Sequence, residues 1–396
     1  MPGTPTRLSK LERMSVESLN AAVWDVLSRV NDPEIHKPIT ELGMVEQVEV
    51  DDTGHASVKV LLTISGCPMK GTIEHDVHAA LQQVEGITSL DLEFGVMTDE
   101  QRAELKTKLR GGVEERSIPF ARADNLTQVI LVASGKGGVG KSSVTVNLAQ
   151  ALAQLGKKVG VMDADIYGHS IPPMLGIADE DVTGIDDMIL PVTVNGLQVI
   201  SIGMLKQSRD QVIAWRGPIL DRAIQQFLAD VYWGDLDFLL VDLPPGTGDV
   251  AMSLGAKLPN AEVLVVTTPQ QAAAEVAERA GTMASMVEQK VVGVVENMAY
   301  LDAECPHCGG THRVDLFGSG GGSRVAEALT LRLGYDVPLL AEVPIDPAMS
   351  AAGDSGVPLV GSDASRPAAQ ALTGLAERLA TRKRGLAGRK LNLLVN

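Results

Sequence analysis

Apolar positions along the chain fall into two regimes. From about Ser15 to Met97 they switch between a helical and a strand period. Val16 to Val30 carries Leu19, Val23, Val26, Leu27 and Val30 at helical spacing, which predicts an amphipathic helix stopped by Asp32-Pro33. Met44–Val50 and Ala56–Ile64 read as strands around the turn Asp51-Asp52-Thr53-Gly54. A helix from about Gly71 to Val84 and a strand Ser89–Phe94 follow. These elements make a small α+β domain over residues 14–100. Residues 101–125 are charged and polar, read as a helix and then a linker, with Gly111-Gly112 as its flexible point.

The second regime consists of short β-branched runs separated by helical stretches. The runs are Val129–Ala133, Val159–Met162, Val199–Ile202, Phe238–Asp242, Val263–Thr267, Val291–Val295 and Leu339–Val343. Strands alternating with helices imply βαβ units, so residues 126–365 are expected to form an α/β, doubly wound, mostly parallel sheet. Ligands in such sheets sit beyond the carboxyl ends of the strands. Residues 366–396 are expected to be a C-terminal surface helix, Arg366 to Thr381, and a basic tail.

Composition narrows the function. Of 396 residues, 45% are hydrophobic, enough for a substantial core. The net charge of −16 argues against non-specific binding to nucleic acid, which relies on Lys and Arg. Residues 366–396 carry seven Lys/Arg and one Glu, so the rest of the chain stands at −22. The first residues, MPGTPTRLSKLERM, lack an apolar signal-peptide core, and no run of about 18 uncharged apolar residues predicts a membrane span. A cytoplasmic protein without stable membrane insertion is expected. Its three cysteines, Cys67, Cys305 and Cys308, are too few for a disulfide framework.

Gly135 to Ser142 reads GKGGVGKS and satisfies the phosphate-loop pattern, with a strand before it and an amphipathic helix, Val144 to Leu155, after it. The backbone of Gly135, Lys136, Gly137, Gly138, Val139 and Gly140 is suited to cradle phosphates, with Ser143 opening the helix behind them. Lys141 supplies a point charge at the β/γ-phosphates and Ser142 a hydroxyl for Mg²⁺. The helix dipole adds about half a positive charge. ATP with Mg²⁺ is the expected ligand. Lys136 is not needed by a simple phosphate loop. With it, the segment resembles the deviant Walker A motif of the MinD/ParA/nitrogenase-iron-protein class. That resemblance implies that Lys136 reaches the partner's nucleotide across a homodimer interface.

Two acidic motifs end predicted strands. Asp242, in VDLPPGTGD, is placed as the Walker B acid, and Gly246 as a backbone sensor of the γ-phosphate. Asp163 or Asp165 is placed to orient the attacking water, although Asp165 also suits helix capping. Asn297, after the run Val291–Val295, is a candidate reader of adenine, while Asn is also a common turn residue.

Cys305-Pro306-His307-Cys308-Gly309 has metal-ligand spacing and admits three readings. One is a zinc knuckle completed by His307 or His312. Another is a redox dithiol. The third is half of a four-thiolate site shared by two subunits, the complement of a [4Fe–4S] cluster. Taken together, DADIYGHSIP (Asp163–Pro172), VDLPPGTGD (Val241–Asp249), VVENMAY (Val294–Tyr300) and CPHCG resemble the Mrp/ApbC family of iron–sulfur cluster carrier ATPases, in order, from about Gln128 to Leu359. The resemblance implies a P-loop homodimer with a cluster bridging two Cys305/Cys308 pairs. It also implies slow ATP hydrolysis and transfer of the cluster to apo-acceptor proteins.

The N-terminal unit resembles the small cluster-assembly domain often fused to such proteins, through Asp32-Pro33-Glu34-Ile35 and Gly66-Cys67-Pro68. Cys67 is then an auxiliary ligand or docking thiol, or a small buried hydrophobe. Two departures stand out. His169 occupies a position that is proline in many relatives, and Thr63-Ile64-Ser65 replaces the usual Thr-Thr-Pro. A MinD/ParA-like positioning switch and an ATP-gated iron–sulfur reductase are the alternative functions.

Overall fold

In a computed structural model the chain divides into two compact units, residues 1–114 with 184–188 and residues 115–183 with 189–396. The structure describes residues 15–382, apart from 65–66, 111–116, 123, 166–167, 169, 206–216, 247, 273–277, 280–281, 283 and 286. Gly111-Gly112, His169 and the tail beyond Arg382 therefore lie outside the described residues.

The first unit runs α1 (Val16–Leu27), β1 (Val45–Val50), β2 (His55–Leu62), α2 (Lys70–Leu81), β3 (Ser89–Val96) and α3 (Asp99–Leu109). Ser15 caps α1 by accepting from Ser18 N–H, and the helix ends at Leu27, short of the expected Val30. β1 and β2 are antiparallel, whereas β2 and β3 pair in parallel through the α2 crossover. Leu19, Val23 and Leu27 of α1 and Ile73, Val77 and Leu81 of α2 are buried, as their spacing of three and four residues requires. α3 opens with a capping box between Thr98 and Gln101. Its basic face is neutralised within the unit, with Lys106 Nζ 3.0 Å from both Asp186 and Asp187.

The second unit is built on an eight-stranded sheet of order β15-β12-β11-β4-β10-β5-β9-β8. The strands are β4 (Gln128–Ser134), β5 (Val159–Asp163), β8 (Val192–Val194), β9 (Leu197–Ser201), β10 (Phe238–Asp242), β11 (Glu262–Thr267), β12 (Lys290–Asn297) and β15 (Leu339–Val343). All pair in parallel except β8, which joins β9 as an antiparallel edge. Three-residue β6 (Thr183–Ile185) and β7 (Met188–Leu190) form a small ribbon of their own, and β13 (Leu301–Glu304) with β14 (Thr311–Val314) forms an antiparallel hairpin.

Both faces of the large sheet are covered, so its strands read as unbroken apolar runs. On β4, Val129, Leu131 and Ala133 face one core, with α6 (Gly217–Ala229), α7 (Asp249–Lys257) and α8 (Gly321–Leu333). Ile130 and Val132 face the other, with α4 (Lys141–Gln154) and α11 (Pro367–Thr381). Short helices α5 (Ile171–Met174), α9 (Pro347–Asp354) and α10 (Leu359–Ser362) close that side. The expected surface helix from Arg366 is thus corrected. Ala368, Leu372, Leu375 and Leu379 are buried, because an i, i+4, i+7, i+11 stripe of apolar side chains makes α11 part of the core.

Candidate functional site

The phosphate-loop segment leaves the central strand β4 at Ser134 and enters α4 at Lys141. Gly140 caps α4 with φ near +78°, and a Cβ there would lie 2.2 Å from Asn297 Nδ2. Only glycine meets both demands. Asn297, the last residue of β12, donates from Nδ2 to Val139 O at 2.9 Å and so ties the loop to the end of a strand two places away in the sheet. Beside them lies a cavity of about 800 Å³, whose walls include Gly140, Ser143, Asn297, Pro344, Ile345 and Asp346. The Asn297 amide expected to read a base thus stands on that wall with its N–H₂ engaged by the loop.

Asp242 ends β10, the strand next to β4, and gathers the front of α4. Ser142 Oγ donates to Asp242 Oδ2 at 2.6 Å and Thr145 Oγ1 donates to Oδ1 at 2.8 Å. Lys141 is 6% exposed, and its Nζ lies 2.7 Å from Asp242 Oδ2. That contact is an ion pair without a well-directed hydrogen bond, so the buried ammonium keeps unspent donors. Spare donors on a desolvated ammonium, beside a glycine loop and a helix N-terminus, fit anionic phosphate oxygens. The Ser142 and Asp242 oxygens are the hard donors that Mg²⁺ takes.

Asp163 ends β5 and is the register partner of Asp242 on β10. It is fully buried, accepts from Ser201 Oγ at 2.9 Å and from Asp165 N–H at 3.1 Å, and is pushed up to about 7 by burial and by the charge of Asp242. Asp165 is half-buried and accepts from Gly168 N–H at 3.1 Å, a contact within its own turn and not a cap of the following helix, which starts at Ile171. Gly246 N–H donates to Ser134 O at 2.9 Å, which holds the segment after β10 against the root of the phosphate loop. Lys136 is half-exposed, and its carbonyl accepts from Ser134 Oγ at 3.1 Å. Gly135 is buried while Gly137 and Gly138 are exposed, so the loop presents its middle outward.

Thr145 and Ser201 were not among the expected site residues. Thr145 lies one helical turn after Lys141, and Ser201 is the register partner of Asp163 on β9. Only the second requires knowledge of strand order.

β12 leads from Asn297 into the β13–β14 hairpin, which carries Cys305 and Cys308 at its tip. Cys305 N–H donates to Gly310 O at 2.8 Å and Gly309 N–H to Cys305 O at 2.9 Å, with Gly309 at φ +66° to make the turn. Backbone N–H groups of Cys308 and His307, with the Cys308 thiol, lower the Cys305 pKa. His312 Nε2 stands 3.2 Å from Cys308 Sγ, whereas His307 contributes its backbone to the turn. In the first unit Cys67 is the electrostatic opposite. It is buried before α2, and burial, then Glu34 and Asp32, push its thiol up.

A phosphate loop after a central parallel strand, with buried aspartates ending the next two strands, defines a P-loop NTPase. The chain belongs to the NUBPL iron-transfer P-loop NTPase family, whose sequence model matches residues 125–380, while the iron–sulfur cluster assembly protein family matches residues 20–92. It is 54% identical over 375 residues to an iron–sulfur cluster carrier protein of Mycobacterium tuberculosis, covering 95% of this chain and 97% of that one. A protein of the same name from Deinococcus radiodurans is 44% identical, with 91% and 95% covered. Among solved structures, a nucleotide-binding protein of Archaeoglobus fulgidus in complex with ADP superposes with a TM-score of 0.50 at 39% identity, over 60% of this chain and 90% of that one. No helix among the described residues is long and apolar enough to cross a membrane.

Proposed function

We propose that this chain is an ATP-dependent carrier of iron–sulfur clusters. Residues Gly135 to Ser143 hold ATP, with Ser142 and Asp242 on Mg²⁺, which screens the phosphate charge when bound. Lys141 neutralises the β/γ-phosphates and Gly246 follows the γ-phosphate. Asp163 holds a proton near neutral pH beside the metal-side aspartate, and Asp165 shapes the switch turn after it. Hydrolysis is slow and coupled to transfer. Two copies form a homodimer in which Lys136 of each reaches the other's nucleotide. The cargo is a [4Fe–4S] cluster held by Cys305 and Cys308 of both copies and passed to apo-acceptor proteins in the cytoplasm.

One observation carries this reading. The thiol hairpin grows directly from β12, whose last residue, Asn297, is bonded to the phosphate loop. The loop is thus tied to the strand end that lies eight residues before Cys305. The carrier names of the relatives and the thiol pair favour this reading over a positioning switch, for which a thiol hairpin has no use. Anaerobic reconstitution with iron and sulfide tests it. About four Fe per dimer is expected, with nearly complete loss in Cys305→Ala while nucleotide binding persists. A protein that takes up no cluster under these conditions sinks the proposal.

A further inference from the structure

Both stems of the β13–β14 hairpin border the cavity beside the phosphate loop. The first stem leaves β12 at Asn297, and Asn297 and Met298 are wall residues. Just beyond them Tyr300 O accepts from the N–H of Ile345, another wall residue, at 2.6 Å. The second stem leaves β14 at Val314, and Phe317, shortly after it, is the one aromatic ring among the described wall residues. The stems are clasped at their base, where the Arg313 guanidinium lies 3.9 Å from the centre of the Tyr300 ring.

The backbone holds Phe317 in place from behind. Its turn is closed by Gly318 N–H, which donates to Asp315 O at 3.2 Å, with Gly318 at φ +84°. Past the turn, Arg324 donates to Ser319 O and to Pro269 O, each at 3.0 Å. The buried Glu296 carboxylate, next to Asn297 in sequence, accepts from Gly322 N–H. The ring itself is 41% exposed. A scattered surface phenylalanine is ordinary, but this one is fixed on the wall of a cavity of about 800 Å³, a volume that suits a ligand of nucleotide size. Gly140 and Ser143 are the wall residues that belong to the phosphate loop and its helix. Phosphates fit there, which leaves the base to apolar walls such as Phe317, Met298 and Met349.

We propose that Phe317 stacks on the purine ring of the bound nucleotide and reports its presence to the second stem of the hairpin. The inference rests on the nucleotide reading above and adds to it the residue that senses the base. Stacking of a base on an aromatic side chain is worth roughly five- to 150-fold in affinity. A nucleotide that holds the ring also holds its turn, and with it the end of β14.

The test is calorimetric titration of the full chain with ADP and Mg²⁺, for wild type and for Phe317→Ala, Phe317→Leu and Phe317→Tyr. Phe317 is exposed, so these variants keep the fold. Alanine and leucine should each weaken ADP about tenfold, while tyrosine should bind within about twofold of wild type. Hydrogen exchange at saturating ADP gives the second readout. The amides of β14 should slow in wild type and in Phe317→Tyr, and not in Phe317→Ala. Unchanged affinity in Phe317→Ala overturns the stacking role. Full rescue by leucine also overturns it, because a side chain that only fills space would do the same. Equal slowing of β14 in wild type and Phe317→Ala overturns the link to the hairpin. A wild type that binds ADP while Phe317→Ala matches it leaves the nucleotide reading standing, whereas a wild type that binds no ADP ends both.

Discussion

Asp242 accepts from Ser142 and Thr145 and faces the buried Lys141, so one carboxylate holds the first turn of α4 in place. An amide there offers Lys141 no counter-charge and Ser142 a competing donor. Asp242→Asn should lower ATP turnover about 10²-fold or more, because it removes a preorganised charge from the reacting phosphates. It should also cost about 3–5 kcal/mol of stability, since a buried ammonium loses its partner. Turnover assays and urea unfolding read the two effects separately. Asp163 gives a pH signature. Its native pKa of about 7 lies above the ordinary 3.8, so between these values the native state binds the extra proton and stability falls as pH rises. Below about 4 the contribution is fully present, and above about 7 it is gone. Asp163→Asn should flatten that part of the profile relative to wild type in unfolding measured from pH 4 to 8. An unchanged difference between the two proteins across that range speaks against a raised Asp163.

The elements carry the phosphate loop by packing. α11 lays Leu372, Leu375 and Leu379 on the same core as Leu148 and Leu152 of α4. Leu375→Ala should therefore destabilise the second unit by about 2–5 kcal/mol through the cavity it leaves, as denaturant unfolding would show; a cost within about 0.5 kcal/mol would mean a solvated helix. The stripe at residues 368, 372, 375 and 379 was legible in the sequence, and the neighbouring basic tail obscured it. The seven main runs were legible for a physical reason, since strands buried on both faces cannot alternate. β6, β7 and β8 were not, because three-residue strands carry no period. Gly135 to Ser142, Asp163 and Asp242 could be read because local spacing encodes them. The Ser201–Asp163 bond joins adjacent strands and the Asn297–Val139 tie spans two places in the sheet, so both depend on strand order and no local pattern announces them. His312 was one of two candidates beside the cysteines, and the hairpin register distinguishes it from His307.

At the scale of the whole molecule, the phosphate loop and the thiols sit in one unit, and the proposed function gives the two lysines of the loop separable tasks. Lys141 is buried and ion-paired inward with Asp242, so in the proposed function its charge serves the nucleotide of its own chain. Lys136 is half-exposed on the same loop, with its backbone anchored by Ser134, and its side chain is available to a second copy. Lys141→Ala should abolish nucleotide binding in calorimetry and with it every later step. Lys136→Ala should bind ATP with nearly unchanged affinity, dimerise with ATP much more weakly in sedimentation, and lose cluster retention. At a net charge of −16 two copies repel each other, so the proposed wild-type dimer should tighten as salt screens that repulsion. The proposed Lys136 contact, an attraction, should weaken under the same salt. The balance is read from dimer affinity at 50 and 300 mM salt, in wild type and in Lys136→Ala. If Lys136 crosses the interface, the variant loses the attractive component and its residual association rises with salt more steeply than wild type. A Lys136→Ala protein that dimerises with ATP and follows the wild-type salt curve would show that the lysine stays on its own side.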